Sequence, residues 1–313
     1  MRTTILFGTI GLLAGLSVAK ELAIEDGRYA VRYDDQANRL ALCDRATGRP
    51  FATAEAFAPQ GASVRAAAPA ATPLGKTRGA LELVLADGST CQAFLADGQP
   101  FVFFRQTVKG SAAGVTNRVA YPALTLSLGQ PAAALASLGT GGLLKPEKNP
   151  GSYMWTAVAD PATRRGVVAG WVTTDRGSGI VRMAVASDAV QLLPHADFGR
   201  LPLAPGKSET LETFAVGLFD DARAGLEAYA DAIARVYDVH LPPMPTVHCT
   251  WYVDGASKET VLTGRTDYAA QVLKPFGLGV MQIDDGWQLG QSKNGPKKVF
   301  IDYNPDGPYP SGM

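Results

Sequence analysis

The sequence has 313 residues, enough for two domains of ordinary size. It is 46% hydrophobic and 19% charged, with 29 basic and 29 acidic residues and a formal net charge of zero. That balance supplies no basic patch for nucleic acid and no cationic surface for an anionic membrane.

The chain opens on an export signal. Arg2 gives a positive start, Ile5–Leu16 is an apolar run too short to span a bilayer, and Ser17-Val18-Ala19 supplies small residues for a signal peptidase. Cleavage is expected after Ala19. Lys20 stands where a lipoprotein would carry cysteine, so neither lipidation nor a stable membrane anchor is expected. The product is expected to be secreted or periplasmic.

Residues 20–218 alternate short runs of β-formers with Gly, Pro, Asn and Asp turns. The spacing predicts strands over 29–33, 39–43, 81–85, 101–108, 124–128, 153–158, 166–173, 179–186 and 210–218. Nine strands with no long helix between them predict a large β-sandwich. Residues 56–80, rich in Ala and Pro, are expected to form an irregular surface excursion. Gly139-Thr140-Gly141-Gly142 lacks the Lys-Ser/Thr of a phosphate loop and reads as a glycine turn.

A helix is predicted next, capped by Asp220 or Asp221, with Leu226, Tyr229, Ile233 and Tyr237 on one apolar face. It runs into Leu241-Pro242-Pro243-Met244-Pro245, a stiff segment because proline fixes φ and lacks an N–H. Residues 219–241 are therefore expected to link the sandwich to a second domain over 242–313. There, Val247–Tyr252 reads as a strand, Thr266–Lys274 as a helix stopped by Pro275 and Gly277, and Leu278–Ile283 as a strand buried on both faces. Strand, helix, strand in so short a span predicts a βαβ unit and a parallel sheet.

The candidate site lies at the ends of those two strands. Gln282-Ile283-Asp284-Asp285-Gly286-Trp287-Gln288 places two carboxylates, a glycine and a tryptophan where ligands bind in parallel α/β folds. Asp284 and Asp285 can accept hydrogen bonds from neighbouring sugar hydroxyls, and Trp287 can lie against the apolar face of a pyranose. Trp251 and Tyr252 end the first strand in the same way. Other chemistries lack support. His195, His240 and His248 are scattered, and His248 reads as a satisfied core histidine. No Gly-x-Ser-x-Gly elbow is present. Cys43, Cys91 and Cys249 match no zinc spacing. Cys43 and Cys91 could pair as a disulfide, or all three could be small buried hydrophobes.

Thr250-Trp251-Tyr252 and Leu273–Gln288 resemble the opening of the catalytic barrel of clan D glycoside hydrolases, the α-galactosidase and raffinose synthase superfamily. Tyr153–Gly179 is similar to the sandwich that precedes that barrel. The resemblance implies a (β/α)8 TIM barrel, a retaining mechanism and no cofactor. It implies that Asp284 and Asp285 bind galactose hydroxyls, with Trp287 and Trp251 as pocket walls. It places the nucleophile and the acid/base on aspartates after the fourth and sixth barrel strands. Residues 242–313 hold room for only the first two strands of a barrel, which in full takes roughly 250 residues. Both catalytic carboxylates are thus expected beyond Met313, and Asp302 and Asp306 are not assigned that role. The expected partner is a terminal α-galactoside. A transglycosylase and a non-catalytic secreted carbohydrate-binding protein are the alternatives, and the oligomeric state stays open.

Overall fold

A computed structural model describes residues 21–68, 71–110, 115–252 and 258–284. The expected export signal lies outside them. The chain divides into two compact units, residues 1–239 and residues 240–313.

The first unit is built on two large antiparallel sheets. One runs in the order Glu21–Glu25, Tyr29–Asp34, Arg39–Asp44, Pro50–Glu55, Leu124–Leu126, Ala189–Pro202, Ser178–Ala186, Ser152–Tyr153, with Val115–Ala120 also paired to the long Ala189–Pro202 strand. The other runs Gly142–Leu144, Ala136–Gly139, Trp155–Ala159, Gly166–Trp171, Ser208–Phe219, Val102–Lys109, Thr90–Ala96, Gly75–Val84, Ser63–Ala67. Alternation along each strand sends one set of side chains inward. Leu40, Leu42, Val181 and Leu192 from the first sheet meet Leu81, Leu95, Phe104 and Phe214 from the second in one apolar core. The unit is a β-sandwich, as the run of short strands predicts.

Tyr29 ties the two sheets together. Its hydroxyl donates to the Leu218 and Pro100 carbonyls and accepts from the Leu218 N–H and from Arg28 Nε, at 2.9–3.2 Å. The Arg28 guanidinium in turn lies 4.7 Å from the centre of the Phe219 ring. A buried hydroxyl with so many partners avoids the desolvation cost of an orphaned one.

Residues 56–80 are more regular than their composition suggests. Ser63–Ala67 pairs antiparallel with the end of Gly75–Val84, and the start of that strand pairs with Ala71–Thr72. Cross-strand hydrogen bonds and a buried Leu74 outweigh the weak strand preference of alanine. Gly139–Gly142 joins two paired strands, as a glycine turn would.

Helix Ala222–Tyr237 is an integral part of the sandwich unit rather than a free linker. Ala222, Gly225, Tyr229 and Ala232 are buried against the outer face of the second sheet, in a separate apolar layer with Phe94, Phe101, Phe103, Val168 and Ala215. Tyr229 donates its hydroxyl to the Trp171 carbonyl at 2.5 Å. Gly170 lies beneath the ring, where a Cβ would sit 2.7 Å from it. The face is rotated from the predicted one because small residues let helix and sheet approach closely. Leu226 and Ile233 pack at its margin, and Tyr237 is 41% exposed.

Asp221 caps this helix, accepting from the Arg223 N–H at 3.0 Å. Hydrogen bonds from the Arg223 side chain and backbone, with Arg164 nearby, lower its carboxyl from 3.8 to about 2. A carboxylate depressed in the folded state stabilises above its unfolded pKa and loses that contribution as pH falls through the folded one. The capping contribution should therefore fade between about pH 4 and pH 2. Urea midpoints measured across that window should fall less steeply for Asp221→Asn, and parallel curves would contradict this.

The three cysteines are free thiols. Cys43 and Cys91 are both buried and both free, so the pairing the sequence left open does not form. Burial alone pushes the Cys91 thiol up to about 12.

The second unit holds a short parallel pair. Thr246–Cys249 and Leu278–Gln282 run side by side, with His248 opposite Met281 and Cys249 opposite Gln282. Helix Glu259–Tyr268 connects them, continuing as a widened turn to Leu273. It begins earlier than the predicted Thr266, with Glu259 at its positive end. It is stopped where predicted, by Pro275 and a Gly277 in the left-handed region. The second strand is not buried on both faces. Val280 is 41% exposed, because the other described elements of this unit leave its outer face uncovered.

Candidate functional site

The parallel pairing brings two strand ends to one place. Thr246–Cys249 leads directly into the turn Thr250–Tyr252, and Leu278–Gln282 leads to Asp284. Because Cys249 and Gln282 are register partners, the residues that follow each emerge at the same edge of the sheet.

Asp284 is fixed there by both strands. Its backbone N–H donates to Thr250 Oγ1 at 2.9 Å. Its carboxylate accepts from Gln282 Nε2 at 3.1 Å and from Cys249 Sγ at 3.3 Å. Thr250 is fully buried, so this hydroxyl is an internal crosslink between the strand ends. The donors hold the carboxylate in one orientation while leaving the residue half-buried. A carboxylate is an acceptor-only group, suited to hydroxyl donors on a ligand. Trp251 follows Thr250 and is 56% exposed, presenting an indole to solvent.

Of the residues singled out from sequence, Asp284 and Trp251 thus follow hydrogen-bonded strand ends. Tyr252 completes the turn through its backbone, and its side chain lies outside the described residues. Asp285 and Trp287 lie outside them as well, as do Asp302 and Asp306. Cys249, just before the first motif, and Gln282, at the start of the second strand end, help to hold Asp284. Their part depends on a register between strands some thirty residues apart in sequence, which neither motif contains.

His248 does not behave as a satisfied core histidine. Its Nε2 is buried without a hydrogen-bond partner, at the wall of a cleft of about 410 Å³ shared with Arg265, Tyr268 and Met281. The apolar neighbours Val261, Leu273 and Met281 offer it nothing to bond. Among the described residues, no group of three His, Cys, Asp or Glu is placed to hold a metal ion, and no helix is long and apolar enough to cross a membrane.

Comparison with known proteins adds the fold. No protein-family model matches the chain, and no curated protein does. Solved structures do. The α-N-acetylgalactosaminidase NagBb from Bifidobacterium bifidum, in complex with Gal-NHAc-DNJ, matches over 90% of this chain and 54% of its own, with a TM-score of 0.53 at 9% identity. The same enzyme in complex with GalNAc gives a TM-score of 0.51 at 11% identity. A glycoside hydrolase family 97 enzyme from Pseudoalteromonas sp. strain K8, in complex with panose, matches over 87% of this chain and 48% of its own, with a TM-score of 0.50 at 10% identity. The chain therefore spans about half the length of the structures it resembles, and it shares its fold with glycoside hydrolases.

Proposed function

We propose that this chain is the N-terminal part of an exported, retaining glycoside hydrolase that acts on terminal α-galactosides. The observation that carries the reading is the Asp284 carboxylate, held by donors from two parallel strands at the edge where Trp251 is exposed. Support also comes from a shared fold with an enzyme solved in complex with GalNAc, a sugar of galacto configuration.

In this reading Asp284 accepts hydrogen bonds from adjacent sugar hydroxyls, with Asp285 beside it in sequence. Trp251 and Trp287 wall the pocket, excluding water from the apolar face of the ring. The strands are the first two of a (β/α)8 barrel, whose ligand sites lie at the carboxyl ends of its strands. A retaining displacement needs a nucleophile and an acid/base carboxylate about 5–5.5 Å apart. In this reading both come from later strands of the barrel. The pair at Asp284 selects the sugar and orients its anomeric carbon toward them.

Asp284→Asn tests the reading. Asparagine keeps the shape but turns a pure acceptor into a mixed donor and acceptor, so one sugar hydroxyl loses a charge-assisted bond. Titration with methyl α-galactoside should show affinity falling about tenfold or more, while methyl α-glucoside binds weakly to both forms. Equal affinity of the two forms for the galactoside would sink the proposal.

A further inference from the structure

On the outer face of the second sheet of the sandwich, five register partners form a polar row: Arg65, Glu82, Gln92, Arg105 and Thr213. The row carries two cations and one anion. Arg65 takes the anion, donating from Nε to Glu82 at 2.7 Å. Gln92 donates to the other Glu82 oxygen at 2.9 Å. Burial works to raise the Glu82 carboxyl, and the bonds from Gln92 and Arg65 outweigh it and lower it. The far end of the row is left positive.

Arg105 is that end. Its one polar partner among the described residues is Gln92 Oε1, at a long 3.5 Å, and its guanidinium lies 5.4 Å from the centre of the Phe94 ring. No carboxylate among the described residues pairs with it. Burial holds the guanidinium below its ordinary pKa. A guanidinium carries five donors in a planar fork, so most of its bonding capacity is unspent. Leaving a half-buried cation unpaired is costly unless a counter-charge arrives from elsewhere.

The side chain lines a cleft of about 170 Å³, with room for a small polar ligand. Asp175 lines it too, bonded to the Tyr237 hydroxyl at 3.1 Å and not ion-paired with Arg105. Asp175 is an acceptor and Arg105 a donor, so a ligand filling the cleft needs an acid group at one end and hydroxyl donors at the other. The threonine hydroxyls add little, since Thr210 already bonds Thr107 at 3.1 Å and Thr173 bonds Glu212. The Thr173–Gly177 wall is held in place by buried Glu212, which accepts the Arg176 and Gly177 N–H groups.

We propose that this cleft binds an acidic monosaccharide, a uronic acid residue of a glycan, with its carboxylate on Arg105 and its hydroxyls on Asp175. The site lies wholly within the sandwich unit and does not rest on the α-galactoside reading.

Calorimetric titration of the protein with sodium glucuronate, glucose and sodium acetate separates the cases. Glucuronate should bind saturably, glucose should not, and acetate should bind at least about tenfold more weakly, having the charge without the hydroxyls. Arg105→Met should weaken glucuronate about tenfold or more, with Arg105→Lys between, because lysine keeps the charge and loses the fork. Should Arg105→Met fail to fold, Asp175→Asn on the surface loop gives the second reading: weaker glucuronate binding with acetate unchanged. The proposal falls if glucuronate does not saturate, if acetate matches it, or if affinity survives in Arg105→Met or in Asp175→Asn. None of these results depends on glycosidase turnover.

Discussion

Trp171→Ala should cost about 3–5 kcal/mol of stability, lowering the melting temperature on the order of 10 °C. Trp171 is fully buried in the second sheet and reaches across the core to the first. Its ring meets Tyr121 edge-on at 4.7 Å and Phe214 at 5.1 Å, and its indole N–H points to the Ile180 carbonyl at 3.4 Å. On the opposite sheet only glycine fits: a Cβ on Gly179 would lie 2.2 Å from the indole ring. Gly179→Ala should therefore be strongly destabilising alone, since neither strand backbone nor indole can move far in a close-packed core. It should cost much less in the Trp171→Ala background, where the alanine methyl enters vacated space. A double-mutant cycle by urea unfolding measures that coupling, and simple additivity would contradict the packing described here.

Glu212→Ala should cost about 3 kcal/mol by leaving several buried donors unsatisfied. Glu212 is 3% exposed and has no ion-pair partner among the described residues. Its carboxylate is held by neutral donors instead: the Arg176 N–H at 2.7 Å, the Gly177 N–H at 2.9 Å and the Thr173 hydroxyl at 2.5 Å. Its own carbonyl accepts from the Tyr121 hydroxyl at 2.5 Å. Removal strands two backbone N–H groups and frees the Thr173–Gly177 turn. Glu212→Gln should cost far less, because an amide oxygen still accepts from both N–H groups. Equal losses for the two variants in urea unfolding would show that the charge, rather than acceptance by the side chain, holds the turn.

The sandwich was legible where β-formers alternate between turn residues, as at Tyr29–Asp34 and Ser178–Ala186. Strands of another composition were not singled out. Thr90–Ala96 carries alanines and Ala189–Pro202 contains Pro194 and Gly199, which read locally as interruptions. Both are held by neighbours on two sides, and that pairing is invisible in a local window. The helix at 222–237 was legible as a helix, but its contact face depended on Gly170 and Gly225 admitting close approach.

The strand-end motif stood out in sequence because two carboxylates follow an apolar run. What positions Asp284 did not, since the Thr250 and Cys249 bonds arise only when two distant segments pair in parallel. The Arg105 cleft was hidden for the same reason. Its polar row is assembled from five strands, and a one-residue slip in any register would send a member to the opposite face.

Turnover by the protein as its own cell makes it tests the central claim most directly. Incubated with 4-nitrophenyl α-galactoside and followed by proton NMR, it should release α-galactose first, with the β anomer appearing only by later mutarotation, and it should leave the β-galactoside intact. Release of β-galactose first, or absence of both turnover and galactoside binding, would contradict a retaining α-galactosidase built on this sandwich.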